Sequence, residues 1–237
     1  CGSWGSLALI TELTFRTQPI KPAHGQLTIK GSLVAIENFR TDLINSNFTP
    51  EYIDLRNKKT AEWYVNIGLA SVSNIALKGQ LEGITKIAKE KQLEVQIKES
   101  DGPLKNDFSE EIASECVKWF VRIAIPPSRI KELITSDTFK CVNSWQWNFG
   151  AWTGLGEGWQ ENRESSKIIC SAVEIEDLRK EITNLGGELI ILLQPFEKEN
   201  RIEAWLDAPS SHLIKAVKKQ FDPKNQIAIG RLPGVKS

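Results

Sequence analysis

The segment EWYVNIGLASVSNIALKGQLEGITKIAKEKQLEVQI, residues 62–97, contains the clearest succession of secondary-structure elements in this chain of 237 residues. Apolar and polar side chains alternate at its start, which predicts a β-strand over 62–69. An apolar stripe at helical spacing then predicts a helix over 74–92. Residues 93–97 predict a second strand. The segment therefore predicts a β-α-β unit, and the same types of element lie on both sides of it.

The order of elements repeats along the chain. The sequence predicts strand 26–30, helix 32–46 and strand 51–55 before the segment, and strand 117–125, helix 128–135, strands 141–149 and 167–173, helix 174–185 and strand 188–193 after it. Each half has the order β-α-β-β-α-β, which is the ferredoxin-like split unit. We therefore predict an α+β fold in which two ferredoxin-like halves, at about 21–100 and 117–208, form a mainly antiparallel sheet with helices on one face.

Composition excludes several classes of function. The chain has 30 basic and 30 acidic residues, and this zero net charge argues against a nucleic-acid or acidic-membrane partner. No stretch has the roughly 18 apolar residues of a transmembrane segment. Cys1, Cys116, Cys141 and Cys170 form no CxxC pair, and only two histidines are present. We therefore expect no metal site, no disulfide scaffold and a cytoplasmic location.

The first twelve residues, CGSWGSLALITE, place a glycine-serine loop before an apolar segment that is predicted to be a strand over 7–16. Glycines let a backbone approach a ligand closely, so we interpret the loop as a ligand contact. Cys1 permits two other interpretations: the nucleophile of an N-terminal-nucleophile amidohydrolase, or a lipid-anchored terminus. The amidohydrolase needs two stacked sheets, so a single antiparallel sheet with helices on one face would exclude it.

An aromatic hairpin permits two interpretations. Trp145, Trp147 and Phe149 alternate and share one face of a predicted strand. They could stack on a sugar or a base, or pack in the core beneath helices, which is the interpretation that we favour. The glycine-rich segment 154–158 lacks the spacing of a dinucleotide fingerprint, and we interpret it as a flexible loop.

Both ends of the chain resemble motifs of FAD-linked oxidases that have the vanillyl-alcohol-oxidase (VAO) type of flavin domain. The start resembles their G-S-x-G-T-L-G-I-I-T-E segment, matched by Gly2, Ser3, Gly5, Ser6, Leu7, Ile10, Thr11 and Glu12. The tail resembles their F-D-P-x-G-I-x-N-P-G-R ending, matched by Phe221, Asp222, Pro223, Ile227, Gly230 and Arg231. Within this group the chain most resembles the FAD-binding E subunit of bacterial glycolate oxidase.

This resemblance implies a division into domains and a cofactor. Residues 1–20 would end an FAD-binding domain of the PCMH type, 21–220 would form the substrate or cap domain, and 221–237 would return to the FAD domain. The chain lacks methionine, and we expect roughly 170–200 further residues before Cys1. The implied FAD contacts are the backbone around Gly2, Ser3, Gly5, Ser6 and Ile10, with Arg231 as a closing cation.

The same resemblance implies a reaction and partners. The chain would be part of an FAD-dependent oxidoreductase that acts on CH–OH groups, with a small 2-hydroxy acid such as glycolate as substrate. D-type flavoprotein and iron-sulfur subunits would be its partners and could associate it with a membrane. No catalytic acid or base is identified, and residues 1–237 alone are expected to be inactive. The alternative is a non-catalytic structural or electron-relay subunit, because Ala228 and Ile229 replace the Asn-Pro of the tail motif.

Overall fold

Strands and helices follow one another in two similar runs. The computed structural model describes residues 2–58, 62–100, 117–161, 170–195 and 201–235. In chain order its elements are β1 (Ala23–Lys30), α1 (Leu33–Ile44), β2 (Tyr52–Lys58), β3 (Trp63–Ser71), α2 (Asn74–Glu90), β4 (Glu94–Ser100), β5 (Val117–Ala124), α3 (Ile130–Ile134), β6 (Gln146–Gly150), β7 (Leu155–Glu161), α4 (Ala172–Asn184), β8 (Glu188–Leu193) and α5 (Ser211–Phe221). Short 3-10 helices at Pro127–Arg129 and Thr138–Val142 flank α3.

The strands form one eight-stranded sheet in the order β4-β1-β3-β2-β6-β7-β5-β8. Every neighbouring pair is antiparallel. Each half contributes four adjacent strands in ferredoxin-like order, and the halves meet edge to edge where β2 pairs with β6. The predicted α+β fold with duplicated ferredoxin-like units is therefore confirmed. The described residues form one sheet with helices on one face, whereas an N-terminal-nucleophile amidohydrolase requires two stacked sheets.

The core lies between one face of the sheet and helices α1 to α4. Side chains of β1 alternate between buried and partly exposed, and Leu27 and Ile29 face the helices with their β3 partners Ile67 and Val65. Serines cap three helices: the hydroxyls of Ser32, Ser73 and Ser171 accept backbone N–H groups at the starts of α1, α2 and α4. Alternation and capping thus place the helices on the apolar face.

The joint between the halves is reinforced by a buried ion pair. Arg40 of α1 binds Glu37 at 2.9 Å, and its Nη1 donates to the carbonyl of Ala151 at 3.3 Å. The N–H of Ala151 in turn donates to the carbonyl of Ile53 at 2.7 Å. A side chain of the first half therefore holds the turn that follows β6 in the second half.

Aromatic rings fill the core of the second half. Trp147 is stacked between Trp145 and Phe149, with ring centroids 5.8 and 5.5 Å away, and all three are buried. Gly156 and Gly158 of β7 lie beneath the rings of Phe149 and Trp147, where a side chain would collide. The core-packing interpretation of the aromatic hairpin is therefore confirmed, and the glycine-rich segment that sequence suggested was a flexible loop is mostly strand β7.

We expect Gly158→Ala to lower the free energy of unfolding by about 1–3 kcal/mol, because an added Cβ would lie 2.3 Å from the Trp147 ring. Urea denaturation followed by tryptophan fluorescence measures the change. Gly79→Ala on exposed α2 is the matched control, since its added Cβ meets open space. It should raise stability by about 0.5–1 kcal/mol. Similar losses in both variants would contradict this account of the aromatic core.

Three predicted elements are wrong. Residues 7–16 form no strand with the described parts of the chain, because a strand needs a neighbouring strand to receive its backbone hydrogen bonds. Of the strand predicted at 167–173, residues 170–173 are not a strand, because Ala172 already begins α4, and 167–169 lie outside the described residues. The strand β7, at Leu155–Glu161, was not predicted. The strand predicted at 141–149 begins only at Gln146, after a 3-10 turn. The sequence also predicts a short helix over 109–116, capped by Ser109, and these residues lie outside the described part of the chain.

Among the described residues, no helix combines the length and the apolar character required to cross a bilayer.

Candidate functional site

The glycine-serine loop at the start of the chain closes on itself. The N–H and the hydroxyl of Ser6 both donate to the carbonyl of Ser3, at 2.9 and 2.5 Å. Gly2, Trp4 and Gly5 have positive φ angles of 89°, 53° and 70°, a region in which glycine is unstrained. Ser6 is therefore buried and its hydroxyl is used within the turn, whereas Gly2 and Gly5 are exposed.

Lys218 of α5 joins this loop to the C-terminal tail. Its buried Nζ donates to the carbonyl of Ser6 at 2.6 Å, to Asp222 Oδ2 at 2.6 Å and to the carbonyl of Ile227 at 2.7 Å. The first of these contacts spans 212 positions of sequence. The two end segments that resemble VAO-type motifs thus meet at one ammonium group, which we call the Lys218 anchor.

Asp222 organises the tail beyond α5. Its carboxylate accepts the N–H groups of Gln226 at 2.9 Å and Ile227 at 2.8 Å. The hydrogen bond from Lys218, followed by these two backbone N–H groups, lowers the pKa of Asp222 to about 2. Asn225, which stands where the resembling motif has glycine, has a φ of 49°. Asparagine tolerates this left-handed region better than most residues, so the turn survives that replacement.

Two tryptophans place the N-terminal loop against the second half of the sheet. The Trp4 ring lies 6.1 Å from the Trp205 ring, and the guanidinium carbon of Arg122 on β5 lies 5.8 Å from the Trp4 centroid. Trp205 Nε1 donates to the carbonyl of Val235 at 2.7 Å, which holds the end of the tail. The loop, the tail and one end of β5 therefore form a single structural cluster.

The sheet face opposite α1 to α4, here named the polar face, carries hydrogen-bonding side chains on adjacent strands. The strand register places on it Gln26, Thr28, Tyr52, Asp54, Arg56, Tyr64, Asn66, Asn148, Glu157 and Arg122. Thr28 donates to Asn66 at 3.1 Å, and Gln26 donates to the Tyr52 hydroxyl at 3.0 Å. A face of this chemistry can hydrogen-bond a hydroxylated ligand.

Two ion pairs with different burial lie on the polar face. Arg56 donates to Asp54 at 2.7 Å, and both side chains are buried. Burial raises the pKa of Asp54, against hydrogen bonds from Arg56 and Asn148 that lower it. Arg122 pairs with Glu157 at 2.7 Å in a more exposed position. Asp54 is therefore a candidate proton acceptor among the described residues.

The structure brings together only some of the sequence-predicted site residues. Gly2, Ser3, Gly5 and Ser6 form one turn at the Lys218 anchor, whereas the side chain of Ile10 is 61% exposed and lies outside that turn. The remaining predicted residue, Arg231, is exposed, and its N–H donates to the carbonyl of Ala228. Cys1 lies outside the described residues.

The sequence did not predict a role in the site for Lys218, or for Asp54 and Arg56 of β2. Lys218 gave no local signal, because it lies among other lysines of an amphipathic helix. Asp54 and Arg56 did give one, since they alternate with the buried Ile53 and Leu55 in a strand. This alternation predicts a strand with one apolar and one polar face, and only the burial of the pair in the structure distinguishes it from an ordinary solvated face.

Comparison with known proteins identifies the fold. No family model matches the chain, and no curated protein matches it in sequence. Among solved structures, it is similar to a chitooligosaccharide oxidase, with a TM-score of 0.56 and 14% identity over 94% of this chain. It is also similar to the glucooligosaccharide oxidase of Acremonium strictum, with a TM-score of 0.58 and 13% identity over its full length. The chain therefore shares its fold with part of these two oligosaccharide oxidases.

The likeness covers part of each neighbour. The chain spans 58% of the chitooligosaccharide oxidase and 60% of the glucooligosaccharide oxidase. A second structure of the latter enzyme, which carries a 6-S-cysteinyl, 8α-N1-histidyl FAD, has a TM-score of 0.55 and 11% identity to this chain. These neighbours support the VAO type of fold, and they do not support the narrower resemblance to the glycolate oxidase E subunit.

Proposed function

We propose that this chain is part of an FAD-dependent oxidoreductase that oxidises a CH–OH group, and that it provides the substrate side of the active site. The observation that carries the proposal is the Lys218 anchor. It joins the two segments that match VAO-type motifs, 212 positions apart, beside a sheet with a hydrogen-bonding face. The VAO type of fold, found without reference to those motifs, supports the same function.

We assign residues 1–20 and 221–237 to the side of the molecule that faces a flavin-binding domain, and 21–220 to the cap. Apolar side chains of the first segment support this division, because Leu9 is 82% exposed and Phe15 is 78% exposed. Such a run, which is in neither a helix nor a strand here, is suited to pairing with a strand of another domain. The flavin-binding domain would cover these side chains and complete their backbone hydrogen bonds.

The residues at the Lys218 anchor fit one side of a flavin site. Gly2, Gly5 and Gly230 have positive φ, and an added Cβ at each would meet open space, so the backbone there leaves room for a planar group. Gly2, Ser3 and Gly5 would contact FAD through their backbone, and Arg231 would offer a cation. When bound, FAD supplies a hydride-accepting ring. Ser6 and Lys218 hold the loop in place.

The polar face would bind the substrate. Asp54 could accept the hydroxyl proton, because its burial raises its pKa. Arg122, with 42% of its side chain exposed, could attract the carboxylate of a small 2-hydroxy acid such as glycolate. The amide side chains of Gln26, Asn66 and Asn148 favour a second candidate, a carbohydrate, which the names of both structural neighbours also suggest. Iron-sulfur and D-type flavoprotein subunits would belong to the hydroxy-acid enzyme.

One experiment tests the cofactor, the reaction and the substrate. The protein is produced with the coding sequence upstream of Cys1, purified alone and examined for the visible absorption of flavin. We expect bound FAD, and anaerobic bleaching of its absorption by glycolate or lactate. Bleaching by oligosaccharides alone would select the carbohydrate candidate. A colourless protein would contradict flavin binding and favour the non-catalytic subunit. Residues 1–237 alone should bind FAD weakly, so a micromolar Kd for them would contradict the proposed division of the site.

A further inference from the structure

Two cysteines that are 29 positions apart meet on the helix-covered side of the sheet. The Sγ atoms of Cys141 and Cys170 and a carboxylate oxygen of Glu174 all lie within 4.8 Å of one another. Cys141 belongs to the 3-10 turn before β6, and Cys170 immediately precedes the cap of α4. This cluster is separate from the polar face, because Cys170 belongs to the apolar core and its carbonyl accepts the indole N–H of the buried Trp119.

The two thiols differ in access. Cys141 is half-buried, whereas Cys170 is 3% exposed. The Cys141 thiol contacts the carbonyl of Thr138 at 3.0 Å, and the Cys170 thiol contacts the carbonyl of Cys141 at 3.3 Å. A reagent from solvent therefore reaches Cys141 first, and Cys170 stands behind it.

The electrostatics give the thiols different reactivity. The hydrogen bond from Cys170 lowers the pKa of Cys141, and that same interaction, with burial, raises the pKa of Cys170. The carboxylate of Glu174 is already used in a capping box, where its Oε2 accepts the N–H and the hydroxyl of Ser171 at 2.7 and 2.8 Å. The cluster is therefore better suited to thiol chemistry than to a metal ion.

We propose that Cys141 and Cys170 form a reversible redox pair that peroxide converts into a disulfide. The Cys141 thiolate attacks one oxygen of hydrogen peroxide, breaks the O–O bond and becomes a sulfenic acid, with hydroxide as the leaving group. The sulfur of Cys170 then attacks the sulfenic sulfur, and its proton leaves with the displaced oxygen as water. In total two thiols and one hydrogen peroxide give one disulfide and two waters, and a dithiol reductant restores the thiols.

The test uses the chain with Cys1 and Cys116 replaced by serine, so that only these two thiols remain. After hydrogen peroxide treatment we expect both to stop reacting with a thiol reagent, the monomer to lose two hydrogen atoms in mass, and dithiothreitol to restore both. The bridged Cys141 and Cys170 peptides should appear together in a digest of the unsubstituted chain, which requires no variant to fold. The bridge should raise Tm by about 5–10 °C.

Two comparisons decide between this proposal and ordinary oxidation. In the first, Cys170→Ser should leave Cys141 as a sulfenic acid that dimedone traps. In the second, disulfide formation between Cys141 and Cys170 should be roughly tenfold slower in urea, where the two thiols are apart. Oxidation at the same rate in the unfolded chain, or two thiols that still react after treatment of the folded chain, would overturn the proposal. A stoichiometric zinc ion that protects both thiols would also overturn it.

Discussion

Lys218→Met is expected to separate the N-terminal loop from the tail while leaving the sheet folded. The ammonium group is the shared donor to Ser6, Asp222 and Ile227, and methionine fills a similar volume without donating. Amide hydrogen exchange of Gln226 and Ile227 should accelerate by at least roughly 100-fold, as expected when one partner of a buried ion pair is lost. Exchange in β1 and β3 should change little.

The matched control is Lys219→Met, which removes an exposed lysine from the next position of the same helix. It should leave exchange in the tail unchanged, because Lys219 lies outside the anchor. Equal acceleration in the two variants would show that general charge on α5, rather than the Lys218 anchor, holds the tail.

The Lys218 anchor also makes the tail sensitive to acid. Asp222 has an ordinary pKa of 3.8 and a folded pKa of about 2. The stability that its ionised carboxylate gives the folded tail is therefore complete above about pH 4 and is lost as pH falls towards 2. In Lys218→Met the largest cause of the lowered pKa is gone, and Asp222 should titrate closer to its ordinary value. Carboxyl chemical shifts of aspartate followed by NMR measure both values. An unchanged pKa in the variant would falsify this assignment.

Arg56→Met is expected to lower the free energy of unfolding at pH 7 by about 3 kcal/mol, because it leaves the carboxylate of Asp54 buried without its cation. Burial already raises the pKa of Asp54, and loss of Arg56 should raise it further. A raised carboxyl pKa favours folding at low pH, where Asp54 is protonated, and that benefit is lost as pH rises. The loss in free energy of unfolding caused by Arg56→Met should therefore be small near pH 4 and grow towards pH 7.

Urea denaturation at the two pH values measures this deficit. Arg122→Met is the matched control, because Arg122 forms the same type of pair, with Glu157, on the same face at 42% exposure. It should cost less than about 1 kcal/mol, since a pair open to solvent contributes little. A deficit for Arg56→Met that is independent of pH would contradict the role of Asp54. A cost for Arg122→Met as large as that for Arg56→Met would show that burial does not distinguish the pairs.

Local patterns were sufficient for most of the fold. Alternation in 62–69 and the apolar stripe of 74–92 correspond to β3 and α2 within two residues at each end. The order of such elements was enough to predict two ferredoxin-like halves, because each unit buries its own helices on its own strands. The prediction failed at 170–173 and missed β7, because the glycines of β7 are typical of a loop. In the structure the rings of Trp147 and Phe149 occupy the space beside these glycines.

The candidate site was predicted less completely. The resemblance indicated the loop around Gly5 and the tail around Gly230, and the structure places both segments at the Lys218 anchor. The FAD contacts and the domain division remain predictions. Asp54 and Arg56 of β2 form part of an alternating pattern that is visible in the sequence. Their burial and the raised pKa of Asp54 depend on the neighbouring strands.

The sequence by itself determined which segments are strands and helices in most of the chain, and which face of each is apolar, because these depend on spacing over a few residues. Only the tertiary structure decided which distant residues meet. The contact of Lys218 with Ser6, the approach of Cys141 to Cys170 and the pairing of β2 with β6 arise from chain segments brought together by the sheet. No local pattern encodes such contacts, since their energy depends on burial and on partners far along the chain.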